Sequence, residues 1–185
     1  RLGDRTEGHY ILSWKMYIPS GRRGYYNLQK FENLPGEEFG LQVQFLEDST
    51  LTIDAGRDDT RASVFRPDTW MNVVHYIDLN ENNTRLYIDD TFVYSWASNW
   101  SIFQQEGTQQ LGAVDFFPAT GDHLFYIDDI YFAEIPAARL GLYAHTAIEV
   151  TEGIHTVPKL TCFGAGFDEE EDENGRSGYW YVYEA

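Results

Sequence analysis

Carboxylates are the side chains in this 185-residue chain whose spacing most invites a chemical reading. The pair Asp89 and Asp90 in "LYIDDTFVYSW" (86–96) returns as Asp128 and Asp129 in "FYIDDIYFAEI" (125–135). Paired aspartates after Tyr-Ile can be duplicated metal ligands, catalytic carboxylates, or residues of a turn and a strand end. A retaining glycanase needs two carboxyl groups about 5 Å apart, one as nucleophile and one as acid/base. One strand can supply both, because alternate residues share a face. No Glu-x-Asp-x-x-Glu run of that kind occurs. Glu47 and Asp54 in "FLEDSTLTIDAG" lie seven apart across a turn, and "FEN" and "GEEF" offer isolated glutamates.

Other chemistry is equally sparse. His9, His75, His123, His145 and His155 show no HxH or HExxH spacing, and no GxSxG motif is present. The single cysteine, Cys162, has no partner for an internal disulfide and reads as a buried strand residue. Thirty acidic residues against thirteen basic ones give a formal net charge of -17. That balance argues against nucleic acid, which is held by clustered Lys and Arg. No apolar run approaches the roughly 18 residues of a membrane-spanning helix.

The elements that must position these residues are strands. "HYILSWKMYI" (9–18) and "FGLQVQFL" (39–46) alternate apolar and polar residues, as do "STLTIDAG" (49–56), "WMNVVHYIDL" (70–79), "TRLYID" (84–89) and "LFYIDDIYFAEI" (124–135). "PSGRRG", "LEDST", "LNENNT" and "ATGD" supply turn chemistry between them. Regular strands with short turns predict an antiparallel jelly-roll sandwich. A boundary is expected in "EIPAARLG" (134–141), which divides a sandwich of residues 1–136 from a linker and the beginning of a second β-rich module, 137–185.

On this pattern the two aspartate pairs separate. Asp89 and Asp90 lie between two strand-like runs, where a two-residue hairpin turn belongs. Asp128 and Asp129 lie inside a strand. Strict alternation puts Tyr126, Asp128, Ile130 and Phe132 on one face and Phe125, Ile127, Asp129 and Tyr131 on the other. Both faces are otherwise hydrophobic, so a carboxylate there needs a cation or hydrogen-bond donors. The acidic run "DEEEDENG" (168–175) lacks the alternating spacing of a calcium loop and reads as solvated.

A glycan binder needs aromatic platforms with amide and carboxylate neighbours. Tyr25, Tyr26, Asn27 and Gln29 provide one such group, and "YSWASNWSIF", with Trp96, Trp100 and Phe103, another. Trp100 falls in a polar segment, either as an exposed platform or as a loop anchor. "VDFFPATGD" adds Asp115, Phe116 and Phe117.

The blocks "YILSWKMYIPSGRRGYYNLQ", "DTWMNVVHYIDLNENNTRLYIDDTFVYSW" and "QLGAVDFFPATGDHLFYIDDIYF" together resemble the concanavalin A-like (laminin G-like) jelly roll of large secreted and surface proteins of Bacteroidetes-type bacteria. The resemblance covers about the first 135 residues. The tail, "AIEVTEGIHTVPKLTC" to "GYWYVYEA", resembles the start of a second module of such proteins, as if trimmed from a longer secreted chain. This family hosts lectins, glycanases, adhesion modules and spacers, so it implies a fold more than a function. It implies that Asp128 or Asp129 ligates a structural calcium, with further oxygens from Asp4 or Glu7. It also sets Asp115 beside the front block, giving a concave glycan site of Tyr26, Gln29 and Asp115, with Trp100 as a separate platform. The expected function is non-catalytic carbohydrate binding or adhesion on the cell surface, with glycans and neighbouring modules as partners. A spacer or cargo of type nine secretion, and a degenerate glycanase, are the alternatives.

Overall fold

The structure, a computed structural model, describes residues 1–56, 60–103, 105–118 and 120–136. Its internal contacts divide the chain into Arg1–Ile135 and Pro136–Ala185. The expected second module, with Cys162 and the acidic run at 168–175, lies outside the described residues.

The first unit is an all-β sandwich of two five-stranded antiparallel sheets. Its strands in chain order are β1 (His9–Tyr17), β2 (Gly24–Gln29), β3 (Phe39–Phe45), β4 (Thr50–Asp54), β5 (Thr60–Val64), β6 (Trp70–Asp78), β7 (Asn83–Ile88), β8 (Thr91–Trp96), β9 (Trp100–Ser101), β10 (Gln105–Glu106), β11 (Ala113–Asp115) and β12 (Tyr126–Glu134). One sheet runs β12-β1-β6-β7-β8 and the other β11-β2-β3-β4-β5, with β9 and β10 forming a small ribbon.

Alternation decides which side chains fill the space between the sheets. In β1, Tyr10, Leu12, Trp14 and Met16 point inward and are buried, while His9, Ile11, Ser13, Lys15 and Tyr17 point out. Val43, Phe45, Leu51 and Ile53 of the facing sheet meet them, and all four are fully buried. Truncating any of these to Ala removes transfer energy and leaves a cavity, at a cost of about 2–5 kcal/mol each.

Both aspartate pairs prove to be backbone devices. Asp89 and Asp90 have φ of 46° and 62°, and Ile88 pairs directly with Thr91. That is a two-residue turn with both central residues left-handed, which matches the twist of the flanking strands. Asp89 also clamps the neighbouring strand: its Oδ1 accepts from the Asn72 N–H at 2.8 Å and its own N–H donates to the Asn72 carbonyl at 2.9 Å.

The second pair forms a β-bulge. Ser13 opposes Tyr131 and Lys15 opposes Asp128, so Asp129 and Ile130 together oppose Trp14. Asp129 takes φ of 50° to make room. The extra residue shifts the alternation, so that Phe125, Ile127 and Phe132 pack on the core while Asp128, Asp129, Ile130 and Tyr131 are exposed. The expectation of strict alternation through this strand is therefore corrected: neither carboxylate is near the core.

Candidate functional site

The inward residues of β2 are Tyr26 and Leu28, so Tyr25, Asn27 and Gln29 emerge on the outer face of their sheet. Register then lines up a polar row across four strands. Asp115 of β11 pairs with Asn27 of β2, Asn27 with Gln42 of β3, and Gln42 with Asp54 of β4. Gln44 lies opposite Tyr25 in the next outward row. Tyr25, Asn27, Gln42, Gln44 and Asp115 floor a cleft of about 560 Å³, with Phe39 and Phe117 among its lining residues, and Asp54 does not line it.

Hydrogen bonds hold this floor in one arrangement. Asn27 Nδ2 donates to Asp115 Oδ2 at 3.4 Å and Gln29 Nε2 donates to the same oxygen at 3.5 Å. Tyr25 donates its hydroxyl proton to Gln42 Oε1 at 3.2 Å, and Gln42 Nε2 donates to Asp54 Oδ2 at 3.0 Å. Burial and the nearby Asp115 and Asp54 carboxylates push the Tyr25 hydroxyl above its ordinary pKa, so it remains a donor at neutral pH. Asn27 is only 2% exposed, and its Oδ1 has no hydrogen-bond partner. A buried acceptor left so costs about 1–3 kcal/mol.

The rim carries the apolar surface. Phe117 is 55% exposed, and Phe39 stacks on the exposed Phe103 with ring centroids 6.2 Å apart. At another part of the rim, Arg23 Nε lies 3.4 Å from Glu47 and its Nη1 lies 3.9 Å from Asp122. His123 accepts the Thr120 N–H on Nδ1 at 3.2 Å.

Of the expected site residues, Gln29 and Asp115 come together here. Tyr26 does not. It is fully buried on the opposite face of β2, edge-on to Trp14 with centroids 4.7 Å apart, and offers no ring to a ligand. Asn27, absent from the expected trio of Tyr26, Gln29 and Asp115, stands at the centre of the floor. The alternation of Leu28 with its neighbours was the signal for both. Trp100 is half-buried in the β9–β10 ribbon and does not line this cleft.

Asp128 and Asp129 lie on the other sheet. Asp129 Oδ2 sits 2.7 Å from Lys15 Nζ, a contact that raises the Lys15 pKa. Asp128 Oδ1 accepts the Asp129 N–H at 2.8 Å. The burial that motivated a calcium ion at this pair is absent. Asp4 and Glu7, expected to complete its coordination, line a surface depression with Glu134, roughly 20 Å along the strand from Asp128. Among the described residues, no group of three or more His, Cys, Asp and Glu side chains is arranged to hold a metal.

No protein-family model and no curated protein sequence matches the chain. Among solved structures, a sialidase is similar at a TM-score of 0.52 and 8% identity over 75% of this chain and 14% of that one. Trypanosoma rangeli sialidase is similar at 0.51 and 11% identity over 72% and 22%. Caenorhabditis elegans galectin LEC-6 is similar at 0.47 and 9% identity over 70% and 85%. The chain thus spans less than a quarter of either sialidase. At these identities the sialidase likeness speaks for the fold alone, and it places the first unit among β-sandwich domains of the jelly-roll kind.

Proposed function

We propose that the first unit is a non-catalytic carbohydrate-binding domain, with the cleft over β11, β2 and β3 as its site. One observation carries the reading: the Asp115 carboxylate, an acceptor held in place by the Asn27 and Gln29 amides, lies in a cleft whose rim exposes the Phe117 ring. Sugar hydroxyls donate to such acceptors, and the apolar face of a pyranose ring covers an aromatic edge. The carboxylates of the row are too far apart for glycoside hydrolysis. Asp115 and Asp54 stand three strand spacings apart, about 14 Å, whereas paired carboxylates act at about 5–9.5 Å. The setting proposed for such a domain is a secreted or outer-surface protein, where glycans are the accessible polymers.

The test is retention on a broad glycan and insoluble-polysaccharide panel, by wild type and by Asp115→Ala and Phe117→Ala. Phe117 is exposed, so Phe117→Ala is expected to keep the melting temperature and lose retention, while Asp115→Ala, which removes the acceptor of the buried Asn27 and Gln29 amides, is expected to lower both. Saturable binding that both variants preserve would move the site elsewhere, and no binding to any glycan would remove the reading.

A further inference from the structure

The outer face of the other sheet carries a row of aromatic rings. Tyr126 of β12 pairs with Tyr17 of β1, and Tyr17 with Trp70 of β6, so three rings from three adjacent strands stand side by side. Their centroids are 6.0 and 5.6 Å apart, and the rings are turned 61° and 50° from one another. Tyr126 and Trp70 are 51% and 49% exposed, which a large apolar ring seldom is without a partner. The middle ring is held in place, because the Tyr17 hydroxyl donates to Asp68, which also takes the Ser20 N–H at 2.9 Å. Two residues along each strand, about 7 Å away, runs a parallel polar row of Asp128, Lys15 and Asn72. Asp89 closes it by accepting the Asn72 N–H. The charges beside the rings are mainly negative: Asp68, Asp89, Asp128 and Asp129 stand against Lys15 and Arg66, and Lys15 Nζ already lies 2.7 Å from Asp129.

We propose that this row is a second binding surface, on the sheet opposite the cleft, for a glycan whose sugar rings carry protonated amino groups. The apolar faces of successive sugars cover successive aromatic rings, and rotation about the glycosidic bonds follows the turn from one ring to the next. The ammonium groups meet the ring faces and the carboxylates of Asp68 and Asp128. A basic peptide has the same charge and a poorer fit. β1 and β6 are inner strands whose backbone groups are taken up by the ladders on both sides, so the face offers a peptide no main-chain partners. An acidic glycan is turned away by the same carboxylates that hold the amino sugar.

Calorimetric titration of the full chain tests this with the β-1,4-linked trisaccharide of glucosamine, its N-acetylated form, cellotriose and tetralysine. The amino trisaccharide is expected to bind at least about tenfold tighter than the other three. Trp70→Ala and Tyr126→Ala should each weaken it about tenfold or more, and Asp128→Asn about threefold, with melting temperatures close to wild type because all three side chains are exposed. Equal affinity for the acetylated trisaccharide or cellotriose would overturn the role of the amino groups. Tetralysine binding as tightly, and lost in the same variants, would make this a peptide surface instead. Binding that survives both ring truncations, or no binding of the amino trisaccharide at all, would remove the second site and leave the reading of the cleft untouched.

Discussion

The hydroxyl of Tyr26 and Nε2 of His75 meet 3.0 Å apart in the sealed interior, one from each sheet. This polar contact crosses a layer of apolar side chains, and His75 Nδ1 and Trp14 Nε1 beside it are buried without partners. Burial pushes the His75 pKa down to about 3, so the ring is neutral in the folded state.

Acid stability follows from that shift. The unfolded chain binds a proton on His75 below about pH 6.5, whereas the folded chain does so only near pH 3, so stability falls as pH drops through this window. The loss is on the order of a few kcal/mol. Urea unfolding of wild type from pH 7 to pH 4 should show it. His75→Phe should have a flatter profile there, although it starts lower because the Tyr26 hydroxyl loses its partner. Parallel profiles would refute the assignment to His75. Below about pH 3.8 both proteins weaken further, as Asp48, Asp68 and Asp122, held ionised mainly by hydroxyl and amide donors, take up protons.

Lys30 has the opposite charge and the same sign of effect. It is 3% exposed, and its Nζ donates to the Ser98 carbonyl. Burial lowers its pKa to about 8, partly opposed by Glu38. Since the unfolded chain keeps this proton up to about pH 10.5, stability should rise between pH 8 and pH 10 in wild type relative to Lys30→Met. Chemical denaturation of the two proteins at pH 7.5 and pH 10 measures the difference, and an unchanged gap between them would contradict it.

Gly112 seats the strand that carries Asp115. A Cβ there would meet the Lys30 carbonyl oxygen and the Glu32 nitrogen, both backbone, at sub-van der Waals separation. Its N–H also donates to the Gln29 carbonyl at 2.9 Å. Gly112→Ala is expected to cost more than about 2 kcal/mol and to weaken glycan retention, because β11 must move away from β2. A stable variant with full retention would show that the strand has slack.

At the bulge, Asp129 adopts a backbone conformation that suits glycine better than any branched residue. Asp129→Gly should leave stability close to that of wild type, since the ion pair it loses is open to solvent and screened. Asp129→Val should cost more than about 1 kcal/mol. Thermal melts of the two variants distinguish a bulge from a regular strand, in which valine would be the better residue.

Much of this was legible in the residues themselves. The strands show because β1, β3, β4, β6 and β7 each have one face on the core, and alternation is the direct trace of that. The hairpin at Asp89 and Asp90 shows because a two-residue gap between strands leaves few conformations. The bulge at Asp129 shows less clearly: aspartate tolerates a left-handed backbone, but the run gives no sign of which of the two neighbours will adopt it or that the strand continues past it. Tyr26 was misplaced for a different reason: a tyrosine suits a ligand platform and a core equally, and only its register with Leu28 decides. The row from Asp115 to Asp54 joins residues up to 88 positions apart, and pairing between distant strands leaves no local mark on either of them.

The bulge also bears on self-association. Among the described residues β12 lies at the edge of its sheet, and a straight edge is a template onto which a second molecule can add its own strand, copy after copy. Asp129 interrupts the ladder in mid-strand and holds a lysine ammonium against its carboxylate. Any incoming strand would have to match the kink and desolvate an ion pair. A residue that resembles a ligand in the sequence thus acts as a guard against polymerisation at this border of the sheet.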